Sequence, residues 1–487
     1  MARTIIAVEP QIPNALSIRL VKATQNINNG RAAYPFGCTP EVMPQWTDPE
    51  AVKMHGRRLL EELEKHPAVK QALQFALMAP AGQTSPVYFH LNEEMAEQLS
   101  WEALYNDEQS FLGLDARWPI GRIADSMLER PAPPQEFAPP LKIAAVLSAL
   151  NREATTQWRA LRDASKAIRN KGLPVDLAVF VGEETLLAEI TNEIDAGLPG
   201  VSVAPVPDRT ADLERALNTF TPHILHFFCH GSASHGVPRL EIATILDWME
   251  GNTTGSVNLK VDDLQNIRAL QDAWLVVLNC CESGRAGENT HSMAHKLVAN
   301  VVPAAIGTLE PFDVADADEL CLGFYPELFD ELKRALDATT DGWVELEWAT
   351  ALRGARRSLS EKHHDDPSNH REWALPVLYV RPEPWLIRVQ PALHATTDAA
   401  GDVATAADHD PTSLAVWKQK AEVVAGHLKA LPPDTAPDVR NAILSILANA
   451  PAWLKPDPFG NFEPAADVTQ LTARDAVMAQ PLAGQSQ

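Results

Sequence analysis

The sequence predicts an α/β fold built on a mostly parallel sheet flanked by helices, with a small helical appendage at the C-terminal end. Three observations carry this. Short, almost wholly apolar runs alternate with helical patterns from residue 141 onward, as parallel strands buried on both faces require. Residues 391–411 (PALHATTDAAGDVATAADHDP) hold four Asp, many small residues and no Lys or Arg, the composition of a flexible acidic linker. Beyond it, Leu414, Trp417, Ala421, Val424 and Leu428, then Val439, Ile443, Ile446 and Leu447, keep helical spacing. They read as a helical hairpin before a Pro-rich tail.

In chain order, Leu16–Val21 (LSIRLV) alternates apolar and polar residues and reads as a strand. A helix starts at Thr47-Asp48-Pro49-Glu50, where a capping side chain, an early proline and an acidic first turn coincide. It continues through Val52, Leu59, Leu60 and Leu63. After His66-Pro67 a second helix carries Val69, Leu73 and Leu77, and Pro86–Leu91 is strand-like. Residues 131–140 (PAPPQEFAPP) form a proline-rich joint between subdomains. Buried strands are then expected at Ile143–Leu147, Leu177–Val181, Ile224–Phe228, Trp274–Leu278 and Ala304–Leu309, with helices near 151–171, 183–196, 209–219, 261–271 and 291–300. Two longer helices, 315–337 and 343–362, precede a last strand in Trp373–Val380. The expected organisation is an N-terminal region 1–140, a main domain 141–390, the linker 391–411 and a hairpin with tail at 412–487. No period of 20–50 residues repeats.

Composition narrows the function. The 487 residues carry 41 Lys+Arg against 64 Asp+Glu, a formal net charge of −23, which disfavours direct binding to nucleic acid, where basic patches must neutralise phosphates. No window approaches the roughly 18 uninterrupted apolar residues of a membrane span. The N-terminal MARTIIAVEPQIP is too short in apolar residues for a signal peptide, so a cytoplasmic location without membrane contact is expected. The five cysteines, Cys38, Cys229, Cys280, Cys281 and Cys321, are few and unevenly spaced, unlike a disulfide framework, and are expected to be reduced thiols.

Two apolar strands end in reactive residues. Ile224–Phe228 runs into Cys229-His230-Gly231, and Trp274–Leu278 into Asn279-Cys280-Cys281-Glu282-Ser283-Gly284. In an open parallel sheet the ligand crevice lies outside the carboxyl ends of the strands, so both motifs face one crevice. If the strands are neighbours, about 4.8 Å apart, an imidazole at one end reaches a thiol at the other. A thiol beside an imidazolium persists as thiolate, the nucleophile of acyl transfer. Cys281 follows His230 by 51 residues, close to the roughly 50 between His and Cys in caspase-type proteases. The N–H groups of Gly231 and Cys281 are the candidates for an oxyanion hole. Cys280, Cys229 and His226 are expected in the core. A zinc site from Cys229, His230, Cys280 and Cys281 has suitable donors, but strand neighbours point to opposite faces and do not converge on one ion. A catalytically inactive scaffold is the other alternative.

The segments HFFCHG (226–231) and LNCCESG (278–284) resemble the His and Cys motifs of the CHAT family, caspase-like domains of the same clan as caspases, separases and gingipains. WEALYN (101–106), FLGL (111–114) and PIGR (119–122) resemble that family's N-terminal half. IGTLEPFD (306–313) is similar to its strand after the cysteine, and REWALPVLYV (371–380) to its closing strand. The resemblance covers residues 55–382. It implies a caspase-like core after 140, preceded by a degenerate caspase-like half. The family pattern places the nucleophile at Cys281 with Cys280 in the slot of a small residue; two adjacent cysteines are a departure from it. The resemblance further implies a cysteine endopeptidase that needs no cofactor or metal and makes a regulated cut in a partner protein. A gasdermin-like pore former or another antiphage or cell-death effector is the implied substrate class. Some members carry tetratricopeptide repeats, not found in this sequence, so sensing would fall to the C-terminal hairpin, the N-terminal region or a separate sensor or activator protein.

The acidic run Glu310, Asp313, Asp316, Asp318, Glu319 divides in two. The last three suit the first turn of a helix. Asp313 precedes it, in a loop that by resemblance to separases lines the pocket for the residue before the cut. A carboxylate there, with Glu310 beside it, would favour Arg or Lys. Residues 232–259 and 282–290 read as polar loops flanking the two motifs, able to order as a gate.

Overall fold

Period-two patterning organises the N-terminal strands. β1 (Thr4–Gln11) and β2 (Ala15–Lys22) pair antiparallel, with Ile6, Val8, Leu16, Ile18 and Leu20 buried. β3 (Tyr34–Phe36) adds to β2. Helix α1 (Pro49–Glu64) starts where the sequence puts it: Asp48 accepts the Ala51 N–H at 2.9 Å, and Pro49 takes the first position, where its missing N–H costs nothing. His66 caps α2 (Pro67–Leu77), its Nδ1 accepting the N–H groups of Ala68 and Val69. Leu59, Leu63, Val69 and Leu73 bury in one cluster with β1, β2 and β4 (Val87–Leu91). A single-turn α3 (Glu94–Glu97), the short pair β5 (Tyr105–Asn106) and β6 (Ser110–Phe111), and β7 (Ile120–Ile123) follow.

This computed structural model describes residues 3–389 apart from 12–14, 28–29, 41, 45–47, 81, 126–133, 235–236, 261–262, 265–266, 281–292, 311–312, 339–341 and 363–365, and in addition Leu428 and Lys429. Side chains of 232–238 and of Cys280 also lie outside the description. The chain divides into two units, 1–394 and 395–487. The acidic linker, helical hairpin and tail expected from the sequence lie outside the described residues except at Leu428 and Lys429.

After β8 (Gln135–Phe137), strands and helices alternate. They are β9 (Leu141–Leu147), α4 (Thr155–Asn170), β10 (Val175–Val181), α5 (Glu184–Asp195), β11 (Val201–Pro205), α6 (Thr210–Phe220) and β12 (Ile224–Ser234). β13 (Val237–Ile242), α7 (Ile245–Glu250), β14 (Val257–Lys260), β15 (Leu275–Cys280), α8 (Met293–Asn300) and β16 (Ala304–Thr308) come next. α9 (Val314–Asp337), β17 (Val344–Glu345), α10 (Trp348–Lys362), β18 (Pro376–Val380) and β19 (Leu386–Val389) complete the unit. The main sheet runs β11-β10-β9-β12-β15-β16-β18-β7-β4-β1-β2-β3. From β11 to β16 all neighbours are parallel; β18 is antiparallel to β16, and β7, β4 and β1 continue parallel to β18. Strands from before and after residue 140 therefore share one sheet.

The strands alternate between two cores. Ile143, Leu147, Phe228 and Val277 lie in a cluster with Trp158 and Leu161 of α4, Leu320 and Phe324 of α9 and Leu352 of α10. Ala144, Val146, Phe227, Val276 and Leu278 lie in another with Leu213 and Leu217 of α6 and Leu297 of α8. Helices thus cover both faces, which is why these strands read as unbroken apolar runs.

The structure corrects the sequence at several places. Residues 232–259, expected as a polar loop, hold the end of β12, then β13, α7 and β14, in an antiparallel ribbon. Its alternating Leu240, Ile242, Val257 and Leu259 are buried, and Thr244 with Asp247 forms a reciprocal cap at α7. Of the helix expected over 261–271, the described residues show helix at 263–264 and a 3-10 turn at Arg268–Gln271, where the Asn218 side chain takes the Ala269 N–H at 2.8 Å. The helix expected from 343 begins at Trp348, because Val344 and Glu345 pair with β19. The last of the expected strands starts at Pro376, a first-strand position that tolerates a missing N–H, after a 3-10 turn at Glu372–Ala374. Part of the proline-rich joint is β8, which pairs with β19 in a small three-stranded sheet.

Candidate active site

Register brings the two motifs together. β9, β12 and β15 are consecutive, and Leu147, Phe228 and Asn279 lie in one row, with Cys229 opposite Cys280 in the next. His230 is the first residue of β12 beyond that row, pairing with Glu241 of β13, and Gly231 with Leu240. The half-buried His230 ring sets its Nε2 2.7 Å from the Leu150 carbonyl oxygen. A carbonyl only accepts, so Nε2 carries the proton and the neutral ring keeps its lone pair on Nδ1.

The segment between β9 and α4 presents this carbonyl. Its Ala149 and Arg152 are bridged, with the Arg152 N–H on the Ala149 carbonyl at 2.9 Å. Asn151 adopts φ 61°, a left-handed conformation its short polar side chain tolerates. Ser148 anchors the near end, its hydroxyl donating to the Ala243 carbonyl and its N–H to Phe228. Asn279 ties the end of β15 to the helices. Its Nδ2 donates to Gln157 Oε1 at 3.0 Å and to the Ala317 carbonyl at 2.8 Å, while Gln157 donates to Asp318 at 2.7 Å. Burial raises the Asp318 carboxyl above the ordinary range. On the ribbon, burial alone would raise Asp247, but the N–H groups of Thr244 and Ser256, the Ser256 hydroxyl and the Asn252 amide outweigh it and hold that carboxyl at about 2. Sequence reasoning missed Leu150, Asn279, Gln157 and Asp247. A polar Asn closing an apolar run was the available signal for Asn279, and the Thr-x-x-Asp spacing for Asp247.

The pocket candidates both have partners. Asp313 is the exposed cap of α9, accepting the Asp316 N–H at 2.8 Å, and Glu310 pairs with Arg371 at 2.6 Å. Asp316 pairs with Lys362 at 2.6 Å, and Glu319 accepts from the Ser358 hydroxyl. His226 and Cys229 are buried on opposite faces of β12, as read from the sequence: His226 is edge-on to Tyr325 of α9, while Cys229 lies in the other cluster. Cys281, with its N–H, and the segment 282–290 lie outside the described residues, as does the Cys280 side chain. Among the described residues no three His, Cys, Asp or Glu side chains form a metal cluster, and no helix is long and apolar enough to cross a membrane.

The fold is thus a mostly parallel, helix-covered sheet in which His230 follows the last row shared by β12 and β15, and β15 ends at Cys280. The chain matches the CHAT domain over residues 56–381 and belongs to that family, a caspase-like family of cysteine peptidases. Among solved structures it is similar to two crystal structures of the Saccharomyces cerevisiae separase–securin complex, at 14% and 13% identity with TM-scores of 0.34 and 0.35. Each likeness covers 68% of this chain but only 18% and 17% of the matched chain. No curated protein sequence matches.

Proposed function

We propose that the protein is a cysteine endopeptidase that makes a regulated cut in a partner protein. The observation that carries this reading is the His230 ring, its Nε2 fixed on the Leu150 carbonyl at 2.7 Å, at the carboxyl end of a strand whose parallel neighbour runs into two cysteines. Pleating favours Cys281 over Cys280 as the nucleophile. Val277 shares the core of Phe228, and Asn279 reaches α4 and α9 on that side, whereas Val276 and Leu278 belong to the opposite core. Residue 281 shares the odd parity of Val277 and Asn279 in the sequence, and Cys280 the parity of Val276 and Leu278, which supports Cys281 as the nucleophile.

In this mechanism the Cys281 thiolate attacks the scissile carbonyl while the N–H groups of Gly231 and Cys281 hold the oxyanion. The C–N bond breaks as His230 protonates the leaving amine, leaving a thioester. Water, deprotonated by His230, releases the acid and regenerates the thiol. A basic residue before the cut would exchange with Arg371 on Glu310 and meet the exposed Asp313 carboxylate. A gasdermin-like pore former or another antiphage or cell-death effector is the proposed substrate, and a separate sensor or activator protein the proposed trigger. A cytoplasmic site of action suits a reduced thiol.

The test is cleavage of a library of internally quenched peptides. Cys281→Ala and His230→Ala should each lower turnover by roughly 10³-fold or more, Cys280→Ala should retain most of it, and Asp313→Ala should weaken the preference for basic residues by about tenfold. Loss confined to Cys280→Ala would move the nucleophile by one residue, and an unchanged preference in Asp313→Ala would remove that residue from the pocket.

A further inference from the structure

The start of α4 is held in an unusual way. Ala154, at its cap position, has no side chain to contribute. Gln157, three residues on, is where a side chain commonly reaches back to the cap N–H, but its amide is committed to Asn279 and Asp318. The Ala154 N–H instead donates to Glu183 Oε1 at 2.8 Å, from the end of the neighbouring strand β10. Glu183 is 5% exposed, and its backbone has little freedom. Gly182 before it admits no side chain, since a Cβ there would collide with the Ser148 hydroxyl and the Ala243 carbonyl, and the Glu183 carbonyl accepts the Leu187 N–H at the start of α5. Ala154, the far end of the segment that carries Leu150, is therefore fixed from the end of β10, while Ser148 at its near end is held by the Ala243 and Phe228 carbonyls. Burial pushes the Glu183 carboxyl up to about 7, against the Ala154 N–H and with the nearby charge of Glu153.

We propose that Glu183 is a positioning residue for His230: by accepting the Ala154 N–H it fixes the 148–154 segment so that the Leu150 carbonyl stays under the His230 Nε2–H. The reading rests on His230 as the acid–base group, yet it concerns the imidazole and is measurable without a substrate. The full chain labelled with ¹⁵N-histidine reports the tautomer of each ring, and the His230 signals are assigned by their loss in His230→Ala. In a Cys281→Ala background, where no thiolate holds a second proton on the ring, the native Glu183 and Glu183→Gln, which keeps a carbonyl acceptor, should show the single Nε2–H tautomer of the neutral ring. Glu183→Ala should draw the two ring-nitrogen shifts together as both tautomers become populated. Should Glu183→Ala not fold, Glu183→Asp, one methylene shorter, makes the same test. An unchanged single tautomer in the shortened variants, or equal loss of it in Glu183→Gln, overturns the positioning role even if the chain proves an active peptidase. A retained tautomer pattern as described supports it even if no peptide is cleaved.

Discussion

His226 illustrates what a single residue commits the fold to. It is fully buried on β12 with both ring nitrogens unpartnered among the described residues, and burial pulls its pKa down to about 3. The unfolded chain, with an ordinary histidine near 6.5, takes up the proton first. Stability is therefore complete above about pH 6.5 and is lost as pH falls toward 3, at up to about 1.4 kcal/mol per pH unit. His226→Leu should narrow this loss, so its urea midpoint should exceed that of wild type by more at about pH 4.5 than at about pH 7.5; an equal offset at both would place the acid sensitivity elsewhere. Glu183 has the opposite sign. Its folded carboxyl holds a proton up to about pH 7, so the cost of burying its charge appears as pH rises from the ordinary 4.5, and Glu183→Gln should gain stability over wild type above pH 7. Neither His230's partner nor Glu183 was legible in the sequence, because Leu150 and Glu183 lie just past the ends of β9 and β10, 80 and 47 residues earlier in the chain, and only sheet register brings them together. His230 itself was legible because it closes an apolar run.

Elements were legible where one physical pattern dominated. The buried parallel strands and the capped start of α1 followed from apolar runs and the Asp48-Pro49 pair. The β12–β14 ribbon did not, because each strand buries only alternate residues, and its polar partners gave the segment the composition of a loop. The α9–α10 contact was equally hidden. Gly323 and Gly354 face each other so closely that a Cβ on Gly323 would lie 2.6 Å from the Gly354 carbonyl, and one on Gly354 would collide with that of Gly323. On an exposed helix Gly→Ala gains up to about 1 kcal/mol. Gly354→Ala should instead lose about 1–3 kcal/mol through overpacking, read from denaturant unfolding; a gain would mean that the two helices separate freely.

At the scale of the whole molecule, the N-terminal strands join the rest of the sheet where β7 meets β18. There the fully buried Arg122 binds Glu102 with two nitrogens at 3.0 and 2.7 Å, and also donates to the carbonyls of Glu97 and Leu99. Glu102→Ala would leave a guanidinium unpaired in the core and should cost about 3–5 kcal/mol in denaturant unfolding. An effect below about 1 kcal/mol would show that water reaches the junction. The central claim, a thiolate at Cys281 sustained by His230, is tested most directly by the rate at which iodoacetamide alkylates Cys281 as a function of pH, read by peptide mass in wild type and His230→Ala. Wild type should react well below the ordinary thiol pKa of about 8.5, and His230→Ala should react only near it. Coincident profiles for the two proteins, both rising near 8.5, would contradict the dyad.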